Sequence, residues 1–167
     1  MSRAADPLPP AFARWFASRG WSARPHQIAL IEQAEAGRST LLVAPTGAGK
    51  TLAGFLPSLI GLSGRERIAA AKGGDQPGLH TLYISPLKAL AVDIARNLEK
   101  PVEEMDLDIR LETRTGDTPA AKRARQMARP PDILLTTPEQ LALMIAHPSA
   151  SCSGPCAASC WTRCIRW

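Results

Sequence analysis

Residues 44–51 read Ala-Pro-Thr-Gly-Ala-Gly-Lys-Thr, and this stretch decides the fold because two glycines precede a Lys-Thr pair. The apolar run Thr40–Ala44 before it predicts a short strand, and Thr51–Ile60 after it predicts a helix despite Pro57. A strand, a glycine loop and a helix in this order are typical of a phosphate-binding loop. Ala44 stands where the common pattern has its first glycine.

This loop has the chemistry to bind a nucleotide. Its glycines allow close approach of the backbone, so that N–H groups and the helix N-terminus point at phosphate oxygens. Lys50 is expected to reach the β- and γ-phosphates, and the Thr51 hydroxyl is expected to ligate Mg²⁺. We therefore predict a nucleotide site, with Lys50 as its catalytic cation, formed by Thr46, Gly47, Ala48, Gly49, Lys50 and Thr51. A glycine-rich turn that contains Lys-Thr by chance is the alternative.

The rest of the chain alternates predicted strands with predicted helices. Strands are expected at His80–Ser85, Ile109–Thr113 and Ile133–Thr136, each followed by a helix, at 87–98, 119–128 and 138–146. Two more helices precede the loop, one carrying Phe12, Trp15 and Phe16 and ending at Gly20, the other running from Pro25 to Gly37. This alternation implies an α/β fold with a mostly parallel sheet and with ligands at the carboxyl ends of its strands.

The composition is that of a folded, water-soluble domain. The chain has 167 residues and a mass of 17.9 kDa, with 45% hydrophobic and 21% charged residues, which excludes disordered and fibrous classes. Met1–Pro10 has no apolar run, and serines and prolines in the uncharged stretch Gln140–Thr162 make membrane insertion costly. We expect a cytoplasmic protein without a membrane partner. The net charge of +5 is compatible with a polyanionic partner.

The turns after the later strands match an ordered series of motifs. They read Ser-Pro-Leu-Lys-Ala-Leu at 85–90, Thr-Arg-Thr-Gly-Asp-Thr at 113–118 and Thr-Thr-Pro-Glu at 136–139, and Arg-Pro-His-Gln at 24–27 follows Trp21. With the phosphate loop, the chain from about Phe12 to His147 resembles the first RecA-like lobe of a superfamily 2 DEAD/DExH-box helicase. Within that group it is similar to the large helicase-related (Lhr) enzymes and their ligase-associated relatives. The resemblance implies a three-layer α/β/α fold, incomplete at the C-terminus.

The resemblance also implies ligands and roles. ATP and Mg²⁺ would be the cofactors, and the amide of Gln27 would read the adenine. The nucleic-acid backbone would be contacted without sequence readout by Pro86, Lys88, Arg114, Gly116 and Thr137. The family favours DNA over RNA, works with a second RecA-like lobe and suggests DNA-repair partners.

The hydrolytic motif of this family, Asp-Glu-x-His, has no counterpart in the sequence as written. No Asp or Glu occurs after Glu139, although the motif is expected a few tens of residues after Thr137. Without the carboxylate that holds Mg²⁺ and the one that orients water, phosphoryl transfer loses its positioning groups. We therefore expect an ATP-dependent DNA helicase by resemblance, but no ATP hydrolysis by this chain alone.

Residues 148–167 differ in kind from residues 1–147 because all the cysteines lie there, at positions 152, 156, 160 and 164. A shifted reading frame would read the third base of each codon together with the first two bases of the next codon. In that frame every cysteine becomes Leu, Met or Val. Across Cys160–Ile165 the shifted frame admits Leu-Asp-Glu-Val-His, close to the missing motif. We therefore predict that this tail is out of frame and has no selected structure.

Two other functions stay open from the residues alone. A free-standing phosphate-loop enzyme such as a small kinase would use the same loop. A non-enzymatic module could bind metal through the four cysteines, although their even spacing, with three residues between each and the next, is unlike common zinc sites. If the tail stands as written, a strand expected beside the phosphate-loop strand is missing, which would expose an apolar edge and leave the chain marginally stable.

Overall fold

A computed structural model of the chain describes residues 8–64 and 79–146 and, for the backbone alone, 164–166. The helices are α1 (Pro10–Ser18), α2 (Pro25–Glu35), α3 (Lys50–Ser63), α4 (Lys88–Glu104), α5 (Ala120–Ala128) and α6 (Pro138–Ala146). The strands are β1 (Thr81–Ile84), β2 (Leu111–Arg114), β3 (Ile133–Thr136) and β4 (Cys164–Arg166). The predicted alternation of strand and helix is confirmed from β1 to α6.

The strands form one sheet in the order β2-β3-β1-β4, and every neighbouring pair is parallel. Strand β3 lies between β1 and β2, so that Thr136 is the register partner of both Ile84 and Arg114. The carboxyl ends of β1, β2 and β3 therefore meet at one edge of the sheet. The residues predicted to contact nucleic acid all lie at this edge, in the turns after these strands, at the end of β2 or at the start of α4.

Both faces of the sheet are covered. Tyr83, Ile133 and Leu135 are at most 1% exposed and belong to a core that also contains apolar side chains of α1, α2, α3 and α4. Because successive strand residues point to opposite faces, Leu82 and Leu134 lie on the other face, where they are 5% and 3% exposed. Strands buried on both faces are typical of the α/β class, and the predicted fold class is confirmed.

The predicted strand Thr40–Ala44 is not a strand in the structure. Leu41 and Val43 are 87% and 85% exposed, and the described residues offer this segment no neighbouring strand. A strand needs a partner for its N–H and C=O groups, so an apolar run without one forms no strand and its polar backbone groups turn to water.

Several element boundaries differ from the predictions; α3, for example, ends at Ser63 and not at Ile60. Helix α4 continues past Leu98 to Glu104, because Leu98 and Val102 extend its buried apolar face and Trp15 of α1 donates from Nε1 to the Glu104 carboxylate at 2.7 Å. Strand β2 begins at Leu111, two residues later than predicted.

Some sequence predictions fall outside the described residues. They include the tail, residues 148–167, of which only the backbone of β4 is described. The shifted reading frame therefore stays a prediction.

Candidate nucleotide and nucleic-acid sites

The phosphate loop is shaped by two glycines in the left-handed region of backbone space. Gly47 has φ +80° and Gly49 has φ +71°, a conformation that costs any other L-residue energy. Gly49 is also the N-cap of α3, so the loop runs directly into the first turn of that helix. The first N–H groups of a helix lack intrahelical partners, and alternation of backbone handedness before them makes an anion-binding concavity.

Lys50 folds its ammonium group back over the loop. Its Nζ donates to the carbonyl oxygen of Ala44 at 2.7 Å and to that of Pro45 at 3.1 Å. Among the described residues no carboxylate pairs with this ammonium group. Phosphate oxygens carry charge and would be stronger acceptors than these carbonyl oxygens. The hydroxyl of Thr51, predicted to ligate Mg²⁺, lies on a half-buried residue in the first turn of α3.

The N-terminus of α2 holds the loop from one side. A ring nitrogen of His26, Nε2, lies 3.0 Å from the carbonyl oxygen of Ala48, and Nη1 of Arg24 donates to the carbonyl oxygen of Gly47 at 3.4 Å. Arg24 and His26 were not among the predicted site residues, although both precede Gln27 in the segment that resembles the adenine-reading motif. Helix α2 therefore supports the loop through main-chain carbonyl groups, which any loop sequence supplies.

Gln27 is 3% exposed and lies against the loop. Its Oε1 accepts a hydrogen bond from the backbone N–H of Arg24 at 2.9 Å, and its Nε2 lies 3.3 Å from where a side-chain carbon on Gly49 would be. The structure therefore brings Gln27 beside the phosphate loop. One of its oxygen lone pairs is already used, so the predicted adenine contact would rely on the remaining lone pair and the amide NH₂ group.

The predicted nucleic-acid residues lie together at the carboxyl ends of the strands. Pro86 and Lys88 follow β1, Gly116 follows β2 and Thr137 follows β3, while Arg114 is the last residue of β2. Pro86, Lys88 and Gly116 are exposed, whereas Arg114 and Thr137 are 9% and 7% exposed. The exposed members can meet a ligand directly, and the buried ones form the floor of the surface.

Arg114 places a buried positive charge at this edge. Its Nε is shielded from water and has no hydrogen-bond partner in the described part of the chain. Burial, and to a lesser degree the neighbouring Arg123 guanidinium, lowers the pKa of Arg114. An anion at this position would supply both the missing acceptor and the missing countercharge.

The turn after β2 is held in shape by its own hydrogen bonds. Thr118 Oγ1 accepts from the N–H of Thr115 at 2.9 Å, and Arg123 donates to the carbonyl oxygens of Thr118 at 2.7 Å and Gly116 at 2.9 Å. Arg123 lies on the basic helix α5 and was not among the residues predicted to contact nucleic acid. Arg123 fixes the turn and adds a second guanidinium beside Arg114.

Helix α6 begins at the centre of this edge. Hydrogen bonds from the backbone N–H of Glu139 and from the Thr137 hydroxyl lower the pKa of the Glu139 carboxyl group. The unpaired N–H groups at a helix start favour negative charge, and so does the helix dipole. The buried Thr136 hydroxyl donates to the carbonyl oxygen of Arg114 at 2.7 Å and ties β3 to β2 just below the surface.

The described residues lack both a cluster of metal-ligating side chains and a membrane-spanning helix. Those residues contain no group of three or more His, Cys, Asp or Glu side chains placed to hold a metal ion. The four-cysteine alternative rests on side chains outside them. No helix in the same ranges is long and apolar enough to cross a membrane.

Comparisons with known proteins agree with this geometry. Residues 24–155 match the family model of the DEAD/DEAH box helicase. The chain is 40% identical over 154 residues to the Lhr helicase/probable uracil glycosylase of Mycolicibacterium smegmatis, covering 84% of this chain and 10% of that relative. It is 44% identical over 121 residues to the ATP-dependent helicase Lhr-Core of Methanothermobacter thermautotrophicus, covering 67% of this chain and 14% of that relative.

A solved structure is similar over nearly the same length. The structure of Mycobacterium smegmatis helicase Lhr bound to ssDNA and AMP-PNP matches with a TM-score of 0.74 and 38% identity. The match covers 87% of this chain and 19% of that one. The chain therefore spans between 10% and 19% of the length of these three proteins.

Proposed function

Because this chain belongs to the DEAD/DEAH box helicase family, we propose that it is the ATP-binding and DNA-binding part of an ATP-dependent DNA helicase of the Lhr type. The observation that carries the proposal is the phosphate loop itself, with Lys50 folded over it and α2 bonded to its carbonyl groups. The family membership and the α/β fold expected from the motif series are confirmed. The alternatives of a small kinase and a metal module are not favoured.

The nucleotide site would bind ATP through main-chain amides and a few side chains. Residues 46–49 would wrap the phosphates, Lys50 would exchange its two carbonyl acceptors for phosphate oxygens, and Thr51 would ligate Mg²⁺. Gln27, which lies beside Gly49 of the loop, would contact the adenine through its amide. Arg24 and His26 would hold the loop in the shape that the phosphates require.

The strand-end surface would bind the sugar-phosphate backbone of DNA. Lys88 is exposed there, and Arg114 offers a buried guanidinium with an unused donor. The start of α6 already attracts the Glu139 carboxylate. These groups favour phosphate without reading base edges, which suits an enzyme that moves along any sequence.

We propose that the 167-residue chain by itself binds ATP without hydrolysing it. The carboxylates that hold Mg²⁺ and orient water in this family have no counterpart after Glu139. Hydrolysis and unwinding would belong to the whole protein, with its second RecA-like lobe. A phosphate-release assay on the purified chain should therefore show no ATP-dependent rate above buffer.

A binding titration tests the nucleotide site. Fluorescently labelled ATP with Mg²⁺ should bind the purified chain saturably, and Lys50→Ala should weaken binding at least tenfold because Lys50 supplies a charge-assisted bond. Lys100→Ala, a change of an exposed lysine on α4, should leave the affinity within twofold. Equal affinities for the wild type and Lys50→Ala would contradict the proposed site.

A second titration tests the nucleic-acid surface and the preference for DNA. Fluorescence anisotropy with a labelled 20-nucleotide DNA strand and its RNA counterpart should show tighter binding to DNA. Arg114→Ala should weaken DNA binding more than Arg14→Ala, which removes an exposed arginine of α1. Equal losses in the two variants would mean that only net charge matters and that Arg114 is not part of the surface.

A further inference from the structure

An ion pair joins two of the turns at the carboxyl edge of the sheet. Nζ of Lys88, at the start of α4, contacts Oδ2 of Asp117 in the turn after β2. Strand β3 lies between the strands that precede these turns, so the pair crosses the carboxyl end of β3. Thr137 and the start of α6 lie at that end.

Asp117 is a carboxylate within a surface whose other named groups attract anions. Lys88, Arg114, Arg123 and the start of α6 all favour negative charge. The side chains of Lys88 and Asp117 are 52% and 69% exposed. Exposed pairs contribute little to folding stability, so the structure does not depend on this contact.

We propose that Asp117 competes with nucleic-acid phosphate for Lys88 and thereby sets the affinity of this surface. Without nucleic acid the carboxylate occupies the position beside Lys88 that a phosphate takes when a strand binds. Binding then separates the pair, and the released carboxylate faces the incoming negative charge. Asp117 thus weakens nucleic-acid binding, whereas the basic residues around it attract phosphate.

This inference rests on the proposed nucleic-acid function and makes a separate prediction. Removing the Asp117 charge should tighten binding of single-stranded DNA by up to about fivefold at low salt, the upper end for an exposed pair. Because Lys88 then contacts phosphate without a competitor, the dependence of affinity on salt should become steeper. The gain should vanish when Lys88 is absent.

The experiment uses the full 167-residue chain and a labelled 20-nucleotide DNA strand, titrated at several salt concentrations. Asp117→Asn is compared with Asp93→Asn, which removes the same charge from an exposed position of α4. Each change is also made in a Lys88→Ala background. Asp117→Ser is a second variant, and thermal unfolding checks that each protein folds like the wild type.

The proposal expects Asp117→Asn and Asp117→Ser to bind more tightly than Asp93→Asn, and expects this difference to disappear in the Lys88→Ala background. An affinity equal to that of Asp93→Asn would overturn the proposal while the nucleic-acid function stands. Weaker binding by Asp117→Asn would also overturn it, because Asp117 would then position Lys88 productively. If the wild type and all variants fail to bind DNA, both the nucleic-acid function and this inference fall.

Discussion

Two segments of similar sequence differ in structure: one is a buried strand and the other is exposed and forms no strand. Residues 133–136 read Ile-Leu-Leu-Thr and form β3, in which every residue is at most 3% exposed. Residues 40–44 read Thr-Leu-Leu-Val-Ala and form no strand, with no strand partner among the described residues and with Leu41 87% and Val43 85% exposed. Both segments precede a turn and a helix. The difference shows that an apolar run becomes a strand only where a neighbouring strand pairs with its N–H and C=O groups.

The contrast also separates the two proposed binding sites. The nucleic-acid surface is built on strand ends that are packed and paired, whereas the phosphate loop follows the exposed segment. The loop keeps its shape through α2 and through the two left-handed glycines. Its geometry is therefore supported by helix contacts more than by the sheet.

The largest expected effect is a loss of folding stability on substitution in β3, the buried one of the two segments. Leu135→Ala should lower the free energy of unfolding by about 2–5 kcal/mol, because it leaves a cavity in a fully buried position. Leu41→Ala should change it by less than about 0.5 kcal/mol, since that side chain already contacts water. Urea denaturation followed by circular dichroism measures both. A large loss for Leu41→Ala would show that the segment is packed in solution.

A smaller effect is expected at the glycine that caps α3. Gly49→Ala should cost about 1–2 kcal/mol from its left-handed conformation, and its new carbon would press on Nε2 of Gln27 at 3.3 Å. Gly37→Ala serves as the control, because Gly37 has a similar φ of +67° and no atom lies within 4 Å of where its side-chain carbon would be. ATP titration should show weaker binding for Gly49→Ala alone. If Gly37→Ala impairs ATP binding equally, the Gln27 contact is not the cause.

A third test removes one hydroxyl group from a buried threonine in β3 and one from an exposed threonine in residues 40–44. Thr136→Val should lower the free energy of unfolding by about 1 kcal/mol, because the bond from Oγ1 to the Arg114 carbonyl oxygen is lost inside the sheet. Thr40→Val should have almost no effect, since its 3.5 Å bond to the Arg38 carbonyl oxygen is exposed. Thermal unfolding of the two variants tests this order. A reversed order would contradict the burial of β3.

The smallest expected effect concerns pH. Hydrogen bonds from Trp15 and Arg19 lower the pKa of the Glu104 carboxyl group below its ordinary 4.5. A lowered folded-state pKa means that its contribution is fully present above pH 4.5 and is lost as the pH falls through the lowered value. The wild type should therefore lose slightly more thermal stability than Glu104→Gln between pH 6 and pH 3.5. Identical pH profiles would mean that this contact is not formed in solution.

The sequence predicted the elements that combine apolar spacing with a marked turn. The strands β1 and β3, the start and end of α6 and the glycine loop all follow from local patterns. It mispredicted Thr40–Ala44 because pairing depends on neighbours that local sequence does not describe. It placed Gln27 near the loop through family resemblance, yet missed the roles of Arg24, His26 and Arg123, because bonds to main-chain carbonyl groups leave no motif.

The central claim is that the chain carries two separate ligand surfaces, one for ATP and one for DNA. Hydrogen exchange of the backbone amides, measured with and without each ligand, tests it most directly. ATP with Mg²⁺ should slow exchange at residues 46–51, and single-stranded DNA should slow it at 86–90, 115–118 and 137–139. Residues 40–44 should exchange much faster than 133–136 in the free chain. Unchanged exchange at 46–51 with saturating ATP, or at the strand ends with saturating DNA, would contradict the claim.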